Sequence, residues 1–186
     1  MSDTTVSCAF RDSVAERKSW ADQQIRLLTP DDAEELAALY TANREFMTPF
    51  EPERTDEFFT TAFQQRRIEA AGEDHWRWAI LDDGRIAGTV VLADVLRGAL
   101  QLANVGYWVD RSHNGRGLAT AAVADVVEFA FGEAGLHRLE AGTLVDNHAS
   151  QRVLVKNGFE RYGLARKLLQ VNGEWRDHVL FERVAD

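Results

Sequence analysis

The sequence predicts an α/β protein whose mixed, mainly antiparallel sheet carries helices on both faces. The first indication lies at residues 102–131, where alternating apolar residues stop at a glycine loop and apolar residues then recur at helical spacing. A further alternating run at residues 138–145 implies a strand parallel to the first, because a crossover helix separates them. The second indication is Asn172-Gly173, a strong hairpin signal between two more alternating runs. Parallel and antiparallel pairs in one chain predict a mixed sheet.

The N-terminal half is expected to supply two helices and an antiparallel meander. Residues 25–28 predict a first strand, and Thr29-Pro30 predicts a helix to about Tyr40, because a hydroxyl N-cap and a first-turn proline favour a helix start. A second helix is expected from Thr55 to about Ala71. The meander then occupies residues 76–81 and 86–92, joined by the turn Asp82-Asp83-Gly84-Arg85.

The C-terminal half continues from the glycine loop. Its long helix is expected to end near residues 132–135, and Asn147 caps a short helix that Asn157-Gly158 stops in left-handed geometry. The last hairpin comprises residues 162–171 and 174–183.

Length and composition predict one domain. The chain has 186 residues and no internal repeat, so we expect a single domain over residues 23–186 and a partly ordered leader over residues 1–22. Its one cysteine, Cys8, cannot form an intramolecular disulfide, which favours a reducing, cytoplasmic location. The N-terminus lacks a signal-peptide pattern, and no apolar run approaches about 20 residues, so no membrane partner is expected. The sequence leaves a homodimer open as the assembly.

The net charge argues against nucleic acid as a partner. Acidic residues outnumber basic ones by 30 to 21, which gives a formal charge of −9. Binding to phosphate backbones needs a basic surface, so this balance mildly favours a cationic acceptor instead.

The loop between the central strand and its helix is suited to a pyrophosphate. Gly115 and Gly117 leave the backbone accessible to an anion, Arg116 adds a positive charge, and the helix N-terminus points at the same place. The P-loop pattern and Gly-x-Gly-x-x-Gly are both absent. An ordinary turn followed by a helix entry is the alternative interpretation.

Three segments together resemble one enzyme family. With this loop, Asp146-Asn147-His148-Ala149-Ser150 and Lys156-Asn157-Gly158-Phe159-Glu160 resemble the GNAT superfamily of acetyl-CoA-dependent N-acetyltransferases. Within it the chain is similar, from about Ile25 to Val184, to the Rim-type (RimJ/RimL-like) ribosomal-protein alanine N-acetyltransferases. The resemblance implies a GNAT-like twisted sheet with a splayed pair of central parallel strands, and acetyl-CoA as co-substrate.

The same resemblance assigns the acetyl-CoA site. The backbone of Trp108 and Val109 would hold the pantetheine arm, and Asn147 would form a hydrogen bond with it. The diphosphate would lie on His113, Asn114, Gly115, Arg116, Gly117, Leu118, Ala119 and Thr120. One position departs from the family, because Ser112 stands where Gln or Arg is frequent.

Ser150 is the candidate proton donor to the departing thiolate. Asn147 and Ser150 are one helical turn apart, so both can face the same cleft. Each also has a structural interpretation, since Asn147 is a good N-cap and Ser150 could bond its own helix.

No residue stands out as the general base. Glu45 is a weak candidate for the base, and further candidates are Glu51, Glu140, His75 and His178. No His/Cys cluster has metal spacing and Gly-x-Ser-x-Gly is absent, so no metal is expected.

The expected acceptor is the N-terminal α-amine of a protein or peptide. An α-amine has pKa ~8 and a lysine ~10.4, so a site without an obvious base neutralises the former more easily. Residues 43–52 resemble a Rim-type loop beside the acceptor slot, with a packed connector as the alternative. Other acceptors left open are a small amine, such as a polyamine, an amino sugar or an antibiotic. A non-catalytic CoA-binding module is the alternative outside enzymes.

Overall fold

The computed structural model describes residues 24–72 and 75–185. The predicted leader over residues 1–22 lies outside the described residues. Within those two ranges, no helix has both the length and the apolar character needed to cross a membrane.

In the described part of the chain, seven strands form one sheet in the order β1-β2-β3-β4-β5-β7-β6. They are β1 (Ile25–Leu27), β2 (Trp76–Asp82), β3 (Arg85–Leu96), β4 (Leu102–Val109), β5 (Arg138–Leu144), β6 (Glu160–Val171) and β7 (Glu174–Val184). The β4/β5 pair is parallel and the other neighbouring pairs are antiparallel. The predicted mixed, mainly antiparallel sheet is confirmed.

The helices are α1 (Ala33–Ala42), α2 (Arg44–Met47), α3 (Thr61–Glu69), α4 (Leu118–Phe131) and α5 (His148–Lys156). Two differ from expectation. The second predicted helix, α3, begins at Thr61 and not near Thr55, because Thr60 is its N-cap. The Thr60 hydroxyl accepts a hydrogen bond from Phe63 N at 3.3 Å. Residues 56–59 form a 3-10 turn that buries Phe58, and α2 was not predicted.

Helices cover both faces of the sheet, as predicted. On one face α4 buries residues spaced three and four apart: Leu118, Ala122, Val123, Val126, Val127 and Ala130. They pack with Leu154 of α5 in the larger core. On the other face α1 and the 3-10 turn place Leu36, Tyr40 and Phe58 in a second core with Trp108 of β4.

The two parallel strands separate after a short paired stretch. They pair only between Leu102–Asn104 and Arg138–Glu140. Beyond that point β4 continues on β3 to Val109, and β5 continues on β7 to Leu144. The backbone of residues 105–109 therefore has a strand partner on one edge only, which confirms the expected splay.

Candidate active site

The opening between β4 and β5 leads directly into the glycine loop. Val109 ends β4, residues 111–113 form a 3-10 turn, and Gly117 is the N-cap of α4. Gly115 and Gly117 have φ of 78° and 85°, a region that favours glycine. Both are exposed. Because the first N–H groups of α4 have no intrahelical acceptor, the loop presents backbone donors at the end of the opening.

Charged side chains fix this loop. His113 lies between two carboxylates, with Nδ1 2.8 Å from Asp110 Oδ2 and Nε2 3.4 Å from Asp82 Oδ2. Arg116 forms an ion pair with the same Asp82 oxygen. Asp82, at the end of β2, thus holds His113 and Arg116, two residues that were predicted to contact the diphosphate. The sequence did not indicate this role for Asp82.

Asp110 is a second residue that the sequence did not single out. Burial favours its neutral form, but hydrogen bonds from Ser112, Asn43 and His113 outweigh burial and lower the pKa of Asp110 to about 2. Ser112, the position that departs from the family pattern, is therefore engaged with Asp110. Asp110 remains ionised at neutral pH and orients the loop from within.

Asn43 connects the loop to α1. It is only 2% exposed. Its Oδ1 accepts from Arg111 N at 3.0 Å, and its Nδ2 donates to Leu39 O at 2.9 Å. An asparagine directly after a helix is common, so the sequence did not indicate that Asn43 contacts the backbone of Arg111.

Tyr107 joins the two sides of the opening. Its hydroxyl lies 3.0 Å from Ser150 O and 2.9 Å from Ser150 Oγ. Burial raises the pKa of Tyr107 to about 12, so the phenol stays protonated at neutral pH. Tyr107 of β4 thereby positions Ser150, a role that its place in an alternating strand pattern did not indicate.

Asn147 and Asn157 set the position of α5. Asn147 Oδ1 accepts from Ser150 N at 3.1 Å, so the N-cap interpretation is confirmed. Asn157 Nδ2 donates to Thr120 O at 3.1 Å, which ties the end of α5 to the first turn of α4. A contact of Asn147 with a pantetheine stays a prediction, as do the diphosphate contacts assigned to the loop.

A cavity of about 170 Å³ lies on the opposite face of β4. Its lining residues are Tyr40, Arg44, Met47, Thr48, Glu51, Pro52, Glu53, Arg54, Phe58, Phe59 and Asn172. Tyr40 stacks on Trp108 with ring centroids 4.6 Å apart and accepts from Trp108 Nε1 at 2.9 Å. Tyr40, which lines the cavity, thus connects it to Trp108 of β4, and much of the cavity wall comes from residues 43–52.

The base candidates occupy different environments. Glu51 lines the cavity, whereas Glu45 is exposed on α2 and is not among the lining residues. Glu140 accepts from Arg138 Nε at 2.8 Å, and buried His178 lies with Nδ1 3.1 Å from Arg176 O. Burial lowers the pKa of His75. Position favours Glu51, and Glu45 as base stays an untested prediction.

No group of three or more metal-ligating side chains is found in residues 24–72 and 75–185. The polar groups that line the opening are a phenol, a hydroxyl and backbone N–H groups. Such groups suit the binding of an anion and the transfer of a proton.

Comparison with known proteins agrees with this geometry. Residues 24–160 match the family described as the acetyltransferase (GNAT) domain. The probable N-acetyltransferase YjcK of Bacillus subtilis (strain 168) is 44% identical over 161 residues, which cover 83% of this chain and 89% of the relative.

Two solved structures share the fold at 30% identity. Ribosomal-protein-S5-alanine acetyltransferase from Vibrio fischeri matches with a TM-score of 0.83 over 87% of this chain and 92% of that chain. Mycobacterium smegmatis RimJ in complex with CoA-disulfide matches with a TM-score of 0.82 over 87% and 81%. These findings confirm the resemblance seen in the sequence: the chain belongs to the GNAT acetyltransferase family and is an N-acetyltransferase.

Proposed function

We propose that the protein transfers the acetyl group of acetyl-CoA to the N-terminal α-amine of a protein or peptide. The observation that carries the proposal is the opening between β4 and β5, which runs from the Tyr107–Ser150 contact to the glycine loop. It is bordered by the free backbone edges of β4 and β5 and ends at a helix N-terminus. A long ligand with a diphosphate at one end and a thioester at the other matches that arrangement.

Acetyl-CoA is the ligand that best suits the opening. The backbone of Trp108 and Val109 would bind the pantetheine arm, and the N–H groups of residues 115–120 would bind the diphosphate. Arg116 would leave its ion pair with Asp82 and contact the diphosphate instead. The Mycobacterium smegmatis relative, solved with CoA-disulfide, supports this choice.

Ser150 is assigned the role of proton donor. Acetyl transfer from a thioester to an amine requires donors for the developing oxyanion and a proton for the departing thiolate. Tyr107 supports this role because its phenol stays protonated and donates to Ser150 O, while its oxygen lies 2.9 Å from Ser150 Oγ and so holds the serine hydroxyl in place beside the opening. The amine would arrive from the other face of β4, through the cavity beside Trp108.

Two considerations favour an α-amine as acceptor. Near pH 7.5, neutralising an α-amine costs under about 1 kcal/mol, whereas neutralising a lysine costs about 4. In addition, the Vibrio fischeri relative is named for an alanine of ribosomal protein S5. A small amine is the second candidate acceptor. The cavity of about 170 Å³ has room for a small molecule as well as for a chain terminus, although not for many side chains at once.

Thiol release from acetyl-CoA tests the proposal. We expect release with peptides that have a free N-terminus, and none above background with the same peptides N-formylated or with a polyamine or amino sugar. Release driven by polyamines or amino sugars alone would overturn the peptide acceptor and leave the small-amine candidate.

A further inference from the structure

Three arginines lie near one wall of the cavity, and we call Arg54, Arg67 and Arg77 the arginine cluster; of the three, only Arg54 lines the cavity itself. The guanidinium carbons of Arg54 and Arg67 lie 4.7 and 4.9 Å from the centroid of the Phe58 ring. Arg77 of β2 is near enough to both for their charges to act on it. Because Phe58 and Arg54 line the cavity, the cluster borders the space assigned to the acceptor.

The cluster is poorly neutralised by the residues that the structure describes. Among them, neither Arg67 nor Arg77 has a carboxylate at ion-pair distance, and Arg67 donates instead to the Gln64 amide oxygen at 3.1 Å. Arg54 does have one such partner, since its Nε forms an ion pair with Glu51 at 3.6 Å. The buried Nε of Arg77 has no hydrogen-bond partner in these ranges.

Half-buried cations without a counter-charge at contact distance, here Arg67 and Arg77 among the described residues, are unfavourable. Burial, together with the charges of Arg67 and Arg54, lowers the pKa of Arg77 to about 10. The guanidinium still remains charged at neutral pH, so its environment favours an incoming anion. Guanidinium groups match carboxylates in shape and hydrogen-bonding geometry.

The cavity also carries negative charge. Glu51 and Glu53 line it, and Arg44 at its edge is paired with exposed Asp56 at 2.8 Å. Both signs of charge therefore meet in one small space. A ligand with an amine and a nearby carboxylate suits such a space better than a purely cationic one.

We propose that the arginine cluster binds a carboxylate of the acceptor, so that preferred acceptors carry an acidic side chain within their first few residues. The proposal rests on the proposed function and defines its substrate class. It runs opposite to the net charge of −9, which by itself would favour basic acceptors.

Matched peptides test this specificity. Peptides with a free N-terminus carry Glu at the second, third or fourth position, and each has a partner with Gln there. We expect the best Glu peptide to exceed its Gln partner about tenfold in kcat/KM. That ratio should fall toward one in Arg54→Gln and in Arg67→Gln. If Arg67→Gln does not fold, the ratio measured in Arg54→Gln alone decides the test.

Arg66→Gln is the control variant, since Arg66 directly precedes Arg67 in α3 and pairs with Glu57 at an exposed site. It should keep the wild-type ratio. Calorimetry with the same peptides, with CoA present, separates this inference from the proposed function. Tighter binding of the Glu peptide without transfer would remove the proposed function and leave the cluster's role intact. Equal affinity for Glu and Gln peptides, or no peptide binding, would overturn the inference.

Discussion

The two sides of β4 are built in different ways. On the glycine-loop side, one continuous segment, residues 107–120, supplies the free strand edge, the left-handed glycines and the start of α4. On the cavity side, Tyr40, Phe58, Arg77 and Asn172 come from elements far apart in the chain. Backbone groups dominate the first side and side chains the second. We infer that the first side serves a co-substrate common to the family and that the second sets acceptor choice.

The largest expected effect separates chemistry from binding. Ser150→Ala should lower kcat by about 100-fold or more, because it removes the proposed proton donor. Affinity for acetyl-CoA, measured by calorimetry, should change little. Thr41→Ala is a control, since the Thr41 hydroxyl donates only to Ala37 O of its own helix at 2.8 Å. An unchanged kcat in Ser150→Ala would remove Ser150 from the mechanism.

A charge reversal tests the glycine-loop side alone. Arg116→Glu should weaken acetyl-CoA binding by about 2 kcal/mol, or roughly 30-fold in Kd, because it sets a negative charge against the diphosphate. Arg85→Glu makes the same change in an exposed arginine on β3, whose contact is Glu35 at 3.7 Å. Calorimetry should show near wild-type affinity for that control. Equal weakening in both variants would point to long-range charge and not to a loop contact.

A smaller effect concerns the stability of the loop. The pKa of Asp110 is about 2 in the folded protein, below its ordinary 3.8. Its ionised form therefore stabilises the fold above about pH 4, and this contribution is lost as pH falls toward 2. Asp110→Asn should lower the free energy of unfolding by on the order of 1 kcal/mol at pH 6. Urea unfolding of both proteins should show that difference shrinking at pH 3, and a constant difference would contradict the assignment.

The sequence predicted the sheet, the glycine loop and the N-cap role of Asn147, because each depends on local periodicity or a short motif. The start of α3 was misplaced because two threonines, Thr55 and Thr60, both offer N-caps and only packing of the intervening turn decides between them. The partners Asp82, Asn43 and Tyr107 could not be predicted. Asp82 and Asn43 lie 34 and 68 residues from the groups they bond, Arg116 and Arg111. Tyr107 lies 43 residues from Ser150.

The position of the transferred acetyl group shows whether the acceptor is an α-amine. A peptide with a free N-terminus and one internal lysine is incubated with the protein and acetyl-CoA, and the acetyl group is located by fragmentation mass spectrometry. We expect acetylation of the N-terminal α-amine, and none when that amine is blocked. Acetyl groups confined to the lysine, or found equally on the blocked peptide, would contradict this expectation.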